Sequence, residues 1–221
     1  MGKLSRKEQE RINREMYIIE AAEEVIAEKG FDAATMDEIA EKAEVGKGTL
    51  YIHFNSKTTI YLAISAKGGR MLNQMMSSVL SRDISGLEMV EEMGFQYLNF
   101  IKTYPQYYRA FNFFESALSE NKLMESHLVD ECEKVGLEAM TYIVRALQIG
   151  MQDGSIKDTI DPKELGIIIW GASKGVMQVA YLKENRRHMK VLDEVSFSLE
   201  SLIDGFIKII GSGIKNDSQS K

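Results

Sequence analysis

Apolar residues recur along this chain every three or four positions and hardly anywhere at every second one, the period of helices rather than strands. The first run, Lys7 to Lys29, gathers Ile18, Ala21, Ala22, Val25 and Ile26 on one stripe and stops at Gly30. Thr35 opens a short second helix, and Glu38 three residues on completes a capping box. Met36, Ile39, Ala40 and Ala43 form its apolar face. Glu44-Val45-Gly46 interrupts it, and Gly46 is expected to supply the unusual backbone of the turn. A third helix spans about Lys47 to Phe54, with Leu50 and Phe54 inward and Lys47, Thr49, Tyr51 and His53 outward. Ser56 caps a long fourth helix, Lys57 to about Leu80. Further helices are expected over Gly86–Thr103, Gln106–Ser119 and Lys122–Gln152. Asp161-Pro162 opens an eighth, to about Glu184, and Asp193 a ninth, to about Ile210. The expectation is an all-α fold of about nine helices.

Composition narrows this little. The 221 residues are 44% hydrophobic with a net charge of −6, and that acidity argues against non-specific coating of nucleic acid. The distribution matters more. Residues 1–15 carry Lys3, Arg6, Lys7, Arg11 and Arg14 against Glu8, Glu10 and Glu15, and residues 45–60 carry Lys47 and Lys57 with no acid. A small positive face is therefore available. Cys132 is alone, so no intrachain disulfide forms. The start lacks the apolar core of a signal peptide, and the apolar run near Ile167–Trp170 is too short to span a bilayer, so a cytoplasmic protein with no membrane partner is expected.

The stretch from about Ile18 to Leu62 resembles the DNA-binding domain of TetR-family transcriptional regulators. The residues that carry the likeness are Gly30-Phe31, Thr35-Met36-Asp37-Glu38-Ile39-Ala40, Val45-Gly46-Lys47-Gly48-Thr49-Leu50-Tyr51, His53-Phe54, Ser56 and Lys57. The resemblance implies a helix-turn-helix whose third helix lies in the major groove of double-stranded DNA. Lys47, Gly48 and Thr49 would then meet base edges, and Tyr51 and His53 phosphates. Lys57 and Thr35, at the starts of two helices, would add phosphate contacts. Two positions depart from the family pattern. Gly46 stands where many members have Ser, which removes a side-chain cap. Ile52 stands where a polar or aromatic residue is common, and either touches a thymine methyl or packs.

The longer C-terminal part is rich in aromatics. These make either a plain core or an apolar chamber between helices. The resemblance favours a chamber for a small-molecule effector, with Phe95, Tyr108, Phe111, Asn112, Phe114, Glu115 and Trp170 as candidate lining. Helices eight and nine combine small residues with a strong apolar stripe, which either packs into the chain's own core or makes a homodimer interface through Gly171, Lys174, Gly175, Leu199, Leu202, Ile203 and Phe206; the two readers that a palindrome needs favour the interface. The expected organisation is a DNA-binding domain over residues 1–56, an effector-binding and dimerisation domain over 57–211 and a disordered tail over 212–221. The expected function is a one-component transcriptional regulator, a repressor, that binds a palindromic operator as a dimer and is released by an effector. The alternatives are a regulator of the same fold controlled by a protein partner, or a helical enzyme. The enzyme has little behind it. Gly46-Lys47-Gly48-Thr49 lacks the spacing of a phosphate loop, and His127 with Glu131 has metal-compatible helical spacing but no third ligand. No catalytic residue, metal or cofactor is assigned.

Overall fold

The computed structural model describes residues 5–119, 127–185 and 194–216. Among these are nine helices and no strand: α1 (Arg6–Lys29), α2 (Met36–Lys42), α3 (Lys47–His53), α4 (Lys57–Val79), α5 (Gly86–Thr103), α6 (Pro105–Ser119), α7 (His127–Asp153), α8 (Pro162–Asn185) and α9 (Leu199–Ile214). The all-α reading holds, with most boundaries within a residue or two of expectation. The expected starts at Lys122 and Asp193 lie outside the described residues, as does Lys3.

Helix α1 is capped by Ser5 and ends at Gly30, whose φ of 82° is the left-handed region. The expected capping box of α2 is present. The Thr35 hydroxyl accepts from the Glu38 N–H, and the Glu38 carboxylate accepts from the Thr35 N–H at 3.0 Å. Lys29 Nζ lies 2.6 Å from the same carboxylate. The Lys29 ammonium, then the Thr35 hydroxyl and N–H, hold Glu38 down at about 2. A lowered folded-state pKa stabilises above the unfolded value of about 4.5, and that support is lost as pH falls toward 2. Melting temperatures of the chain and of Glu38→Gln are therefore expected to differ at pH 6 and to converge near pH 2.5. A gap unchanged across that range would separate the box from the charge on Glu38.

The turn after α2 corrects one expectation. Gly46 has an ordinary φ of −65° and is simply the N-cap of α3. The left-handed residue is Glu44, at φ 53°. The Val45 N–H donates to Ala40 O and the Glu44 N–H to Glu41 O. This is the Schellman pattern, which places its left-handed residue just past the helix end.

The chain divides into two compact units, residues 1–70 with 104–135, and 71–103 with 136–221. In the first, the loop after α1 is held by aromatic contacts: Phe31 stacks on Tyr61 at 4.5 Å and meets Phe113 of α6 at 4.8 Å. Leu62, Ala66, Phe114, Val129 and Cys132 form an adjoining core. Tyr107 packs so closely on Gly68 that a Cβ there would lie 2.5 Å from the ring. Its hydroxyl bonds the Glu23 carboxylate of α1, and burial first, then that carboxylate, push the hydroxyl well above the usual tyrosine range. Glu23 in turn accepts from Lys67 of α4 at 2.8 Å.

The second unit is built on Val79, Met89, Val90, Met93, Ala146, Leu147, Ile156 and Leu165. Helix α9 buries Ile203, Ile207 and Gly211 and packs on α5 and α8. Two expectations change here. Helix α9 starts at Leu199 because Ser198 caps it, with Ser201 closing a box. It also continues through residues 212–214, which were expected in the tail. Gly211 packs against Glu91, and beyond the helix Lys215 pairs with Ile156 while the Asn216 N–H donates to Ser155 O. The third change concerns α8. Its stretch Pro162–Lys183 is long and apolar enough to cross a membrane by length and composition. The expectation weighed only the run Ile167–Trp170, and glycines and alanines extend that run.

Candidate nucleic-acid interface

Helix α3 has seven residues, and one inward line holds it. Leu50 is fully buried, Phe54 follows at the C-cap, and the Phe54 N–H donates to Leu50 O at 2.8 Å. Because successive residues turn by about 100°, Gly48 and Ile52 fall on the side opposite Leu50, with Tyr51 and Thr49 flanking them. Lys47, Gly48, Tyr51 and Ile52 are exposed and Thr49 is half-buried. The two large side chains stand well out, Tyr51 at 50% exposure and Ile52 at 83%.

Four candidate contact residues already have partners within the unit. Lys47 Nζ lies 2.6 Å from Asp37 of α2, both of them exposed. Exposed pairs of this kind are worth little and exchange readily for a phosphate. The Thr35 hydroxyl serves the α2 cap. His53 turns toward α1, its Nδ1 3.2 Å from Glu15 Oε1, which Arg11 also meets at 3.0 Å. Position 53 lies next to the inward Leu50 line, so its side chain follows the core.

Lys57 turns inward as well. Its ammonium donates to the carbonyls of Phe31, Asp32 (3.0 Å) and Ala34 (2.8 Å) and sits 4.6 Å from the Phe31 ring centroid. Three donors on three carbonyls use the group fully. The side chain therefore ties the loop that leads into α2. Lys57→Ala is expected to lower the melting temperature by roughly 4–8 °C, about 2 kcal/mol for orphaned carbonyls bonded to a charge. Lys57→Arg should not restore it, since a planar fork does not match three convergent acceptors. Unchanged melting in Lys57→Ala would return the residue to a phosphate role alone.

The candidate effector residues do not share one unit. Tyr108, Phe111, Asn112, Phe114 and Glu115 lie on α6 in the first, Tyr108 and Phe114 buried and the others half-buried. Phe95 and Trp170 belong to the second and are exposed. An open cavity of about 410 Å³ lies on α1 and α2, lined by Arg14, Tyr17, Glu20, Glu24, Lys42 and Glu44. Its charged wall is unlike the apolar chamber expected near α6. Glu131, spaced for a metal with His127, instead pairs with Arg70.

Of the candidate dimer residues, Gly171 and Gly175 are exposed on α8 with open space above them. Lys174 sits 4.9 Å over the Trp170 ring. On α9, Leu199, Leu202 and Phe206 are half-buried, but Ile203 is buried in its own chain. Sequence reasoning missed four exposed apolar residues of these helices: Ile167 (57%), Ile168 (48%) and Val179 on α8, and Ile209 on α9. The signal was available. Three successive isoleucines, Ile167 to Ile169, span about 200° of helix and cannot all face one core.

Comparison with known proteins bears on the same residues. Residues 18–64 match the model of the bacterial regulatory proteins of the tetR family. An uncharacterized HTH-type transcriptional regulator of Bacillus subtilis, YhgD, is 29% identical over 147 residues, 66% of this chain and 73% of that one. The fatty acid metabolism regulator protein of the same organism is 25% identical over 209 residues, 91% and 95% of the two chains. The solved structure of FadR from Bacillus subtilis with stearoyl-CoA superposes with a TM-score of 0.65 at 20% identity, covering 90% of this chain and 98% of that one. At that identity the likeness is one of fold.

Proposed function

The chain is a member of the TetR family of DNA-binding regulators, and we propose that it acts as a homodimeric, cytoplasmic repressor that leaves a palindromic operator when a small-molecule effector binds. The observation that carries this is α3, which holds Leu50 in the core and turns Lys47, Gly48, Tyr51 and Ile52 to solvent within the matched segment. Residues 1–56 serve as the reader, with Lys47, Gly48, Thr49 and Tyr51 at the DNA and Thr35, His53 and Lys57 fixing the frame. Residues 57–211 take the effector and pair two copies. The exposed apolar side of α8 supports pairing, because a two-fold dimer presents two readers about 34 Å or a multiple apart.

Acyl-coenzyme A thioesters are the effector class to try first. A regulator of similar fold is solved with stearoyl-CoA, and a relative over nine-tenths of the chain is a fatty acid metabolism regulator. Release works by population shift, the effector binding more tightly to the DNA-incompetent arrangement. Helix α6 supports such a route: Phe113 touches Phe31, and Tyr107 bonds Glu23 of α1, so a change in α6 reaches the reader's own helices. Helix α4, which runs from one compact unit into the other, carries the change further. The test is fluorescence anisotropy of a duplex from the region upstream of this gene. Specific binding of the purified chain, lost on adding stearoyl-CoA but not free coenzyme A, is the expected result. Binding indifferent to acyl-CoA would remove that effector class, and no specific duplex at all would remove the repressor.

A further inference from the structure

Resting on the DNA-reading role of α3, we infer that Ile52 determines operator specificity by holding the C5-methyl group of a thymine in each half-site. Ile52 is the most exposed of the large apolar side chains described, at 83%, so the alternative that it packs in the head is excluded. It stands in the middle of the face opposite Leu50, where α3 has no other business than its partner. A helical side chain leans toward the N-terminus, over the residue one turn earlier. For Ile52 that residue is Gly48, which is exposed and has nothing within 4 Å of where a Cβ would be. The backbone one turn before Ile52 is therefore bare, and the branched side chain stands unshielded on the face that a base edge would approach. Its flanks are polar, Thr49 toward one side and Tyr51, with Lys47 beyond it, on the other.

A major groove offers one apolar feature to such a group, the thymine C5-methyl. Ile has no donor or acceptor, so it reads by burial alone. It penalises cytosine, whose exocyclic amine would lose water against the side chain without gaining a partner. The selectivity is thus for a methylated pyrimidine at one position, while hydrogen-bonding neighbours read others.

Deoxyuridine isolates this contact, because it pairs as thymidine does and lacks only the methyl. The full chain is used to select its tightest duplex from a random-sequence pool. That duplex is then remade with thymidines replaced by deoxyuridine singly and in symmetry-related pairs. Affinities are measured at one salt concentration for the natural chain, Ile52→Val and Ile52→Ala. At one thymine per half-site, loss of the methyl should weaken the natural chain roughly fourfold, and loss of both about fifteenfold, the scale of one buried carbon per site. Ile52→Ala should bind both duplexes alike, and Ile52→Val should fall between. All three should melt together, since the residue is exposed. A specific duplex with no uracil-sensitive position, or a uracil effect that persists in Ile52→Ala, would overturn the assignment to Ile52 while leaving the regulator intact. Failure to select any duplex would overturn the DNA-reading role itself and this inference with it.

Discussion

Gly86→Ala is expected to destabilise the second compact unit by about 3 kcal/mol or more, the upper end for overpacking, and to lower the melting temperature by roughly 10 °C. A Cβ at Gly86 would lie 2.0 Å from the Gly150 nitrogen, 2.3 Å from its Cα and 2.7 Å from Ala146 O. All three are backbone atoms of α7, so no rotamer change relieves the clash and the helices must separate. Separation would carry away more than packing. The Gly86 N–H donates to the Asp153 carboxylate at 2.7 Å and the Leu87 N–H to Ser155 Oγ at 3.1 Å, so the end of α7 satisfies the first donors of α5. Ile156, fully buried, closes the same corner, its side chain 2.4 Å from where a Cβ on Gly150 would be. Gly136→Ala is the control. Gly136 lies exposed in α7 with nothing near its missing Cβ, and alanine there should stabilise by about 0.5–1 kcal/mol. Thermal melts of the two variants decide the matter. Equal effects would mean that the α5–α7 crossing adjusts freely.

Much of this architecture was legible before any coordinates. Capping boxes, glycine stops and Asp161-Pro162 are local signals, and they placed Thr35, Gly30 and the start of α8 correctly. Local signals do not say which residue in a tight turn takes the strained conformation, and Glu44 does so where Gly46 was expected. Nor do they say what a long side chain will reach. Lys57 stands at the head of α4 as expected, yet the carbonyls of Phe31, Asp32 and Ala34, more than twenty residues away, accept its hydrogen bonds. The aromatic run of α6 shows the same limit. Period identifies Phe113 and Tyr107 as apolar-face residues, but only packing reveals that their partners are Phe31 and Gly68 beside the reader. The tail is the reverse case. Gly211-Ser212-Gly213 looks like a terminator, yet Gly211 is buried beside Glu91, and the helix runs on.

Ile168→Asp is expected to leave the fold intact, convert the chain to a monomer and weaken operator binding at least a hundredfold. Ile168 is 48% exposed, so a carboxylate there stays hydrated in the isolated chain and helical content should not change. In a dimer the same carboxylate would face its own copy across the two-fold axis, buried and unpaired, a placement that homodimer interfaces tolerate poorly. Lys174 lies nearly two turns on but is engaged over the Trp170 ring. The loss in DNA affinity follows from linkage. A dimer's second reader binds at the effective concentration set by the first, and removing that advantage forfeits a factor of about 10²–10⁴ without touching any DNA contact. Sedimentation should therefore show a monomer whose residual binding keeps the base preferences of a single half-site. A variant that remains dimeric would move the interface off this side of α8. The apolar length of Pro162–Lys183 then has a second explanation, a lipid bilayer, which flotation of the natural chain with phospholipid vesicles would reveal. The pairing role makes the opposite prediction, because Leu165, Met177 and Ala180 on the same helix are already buried against their own chain and only the other side of α8 is left to cover.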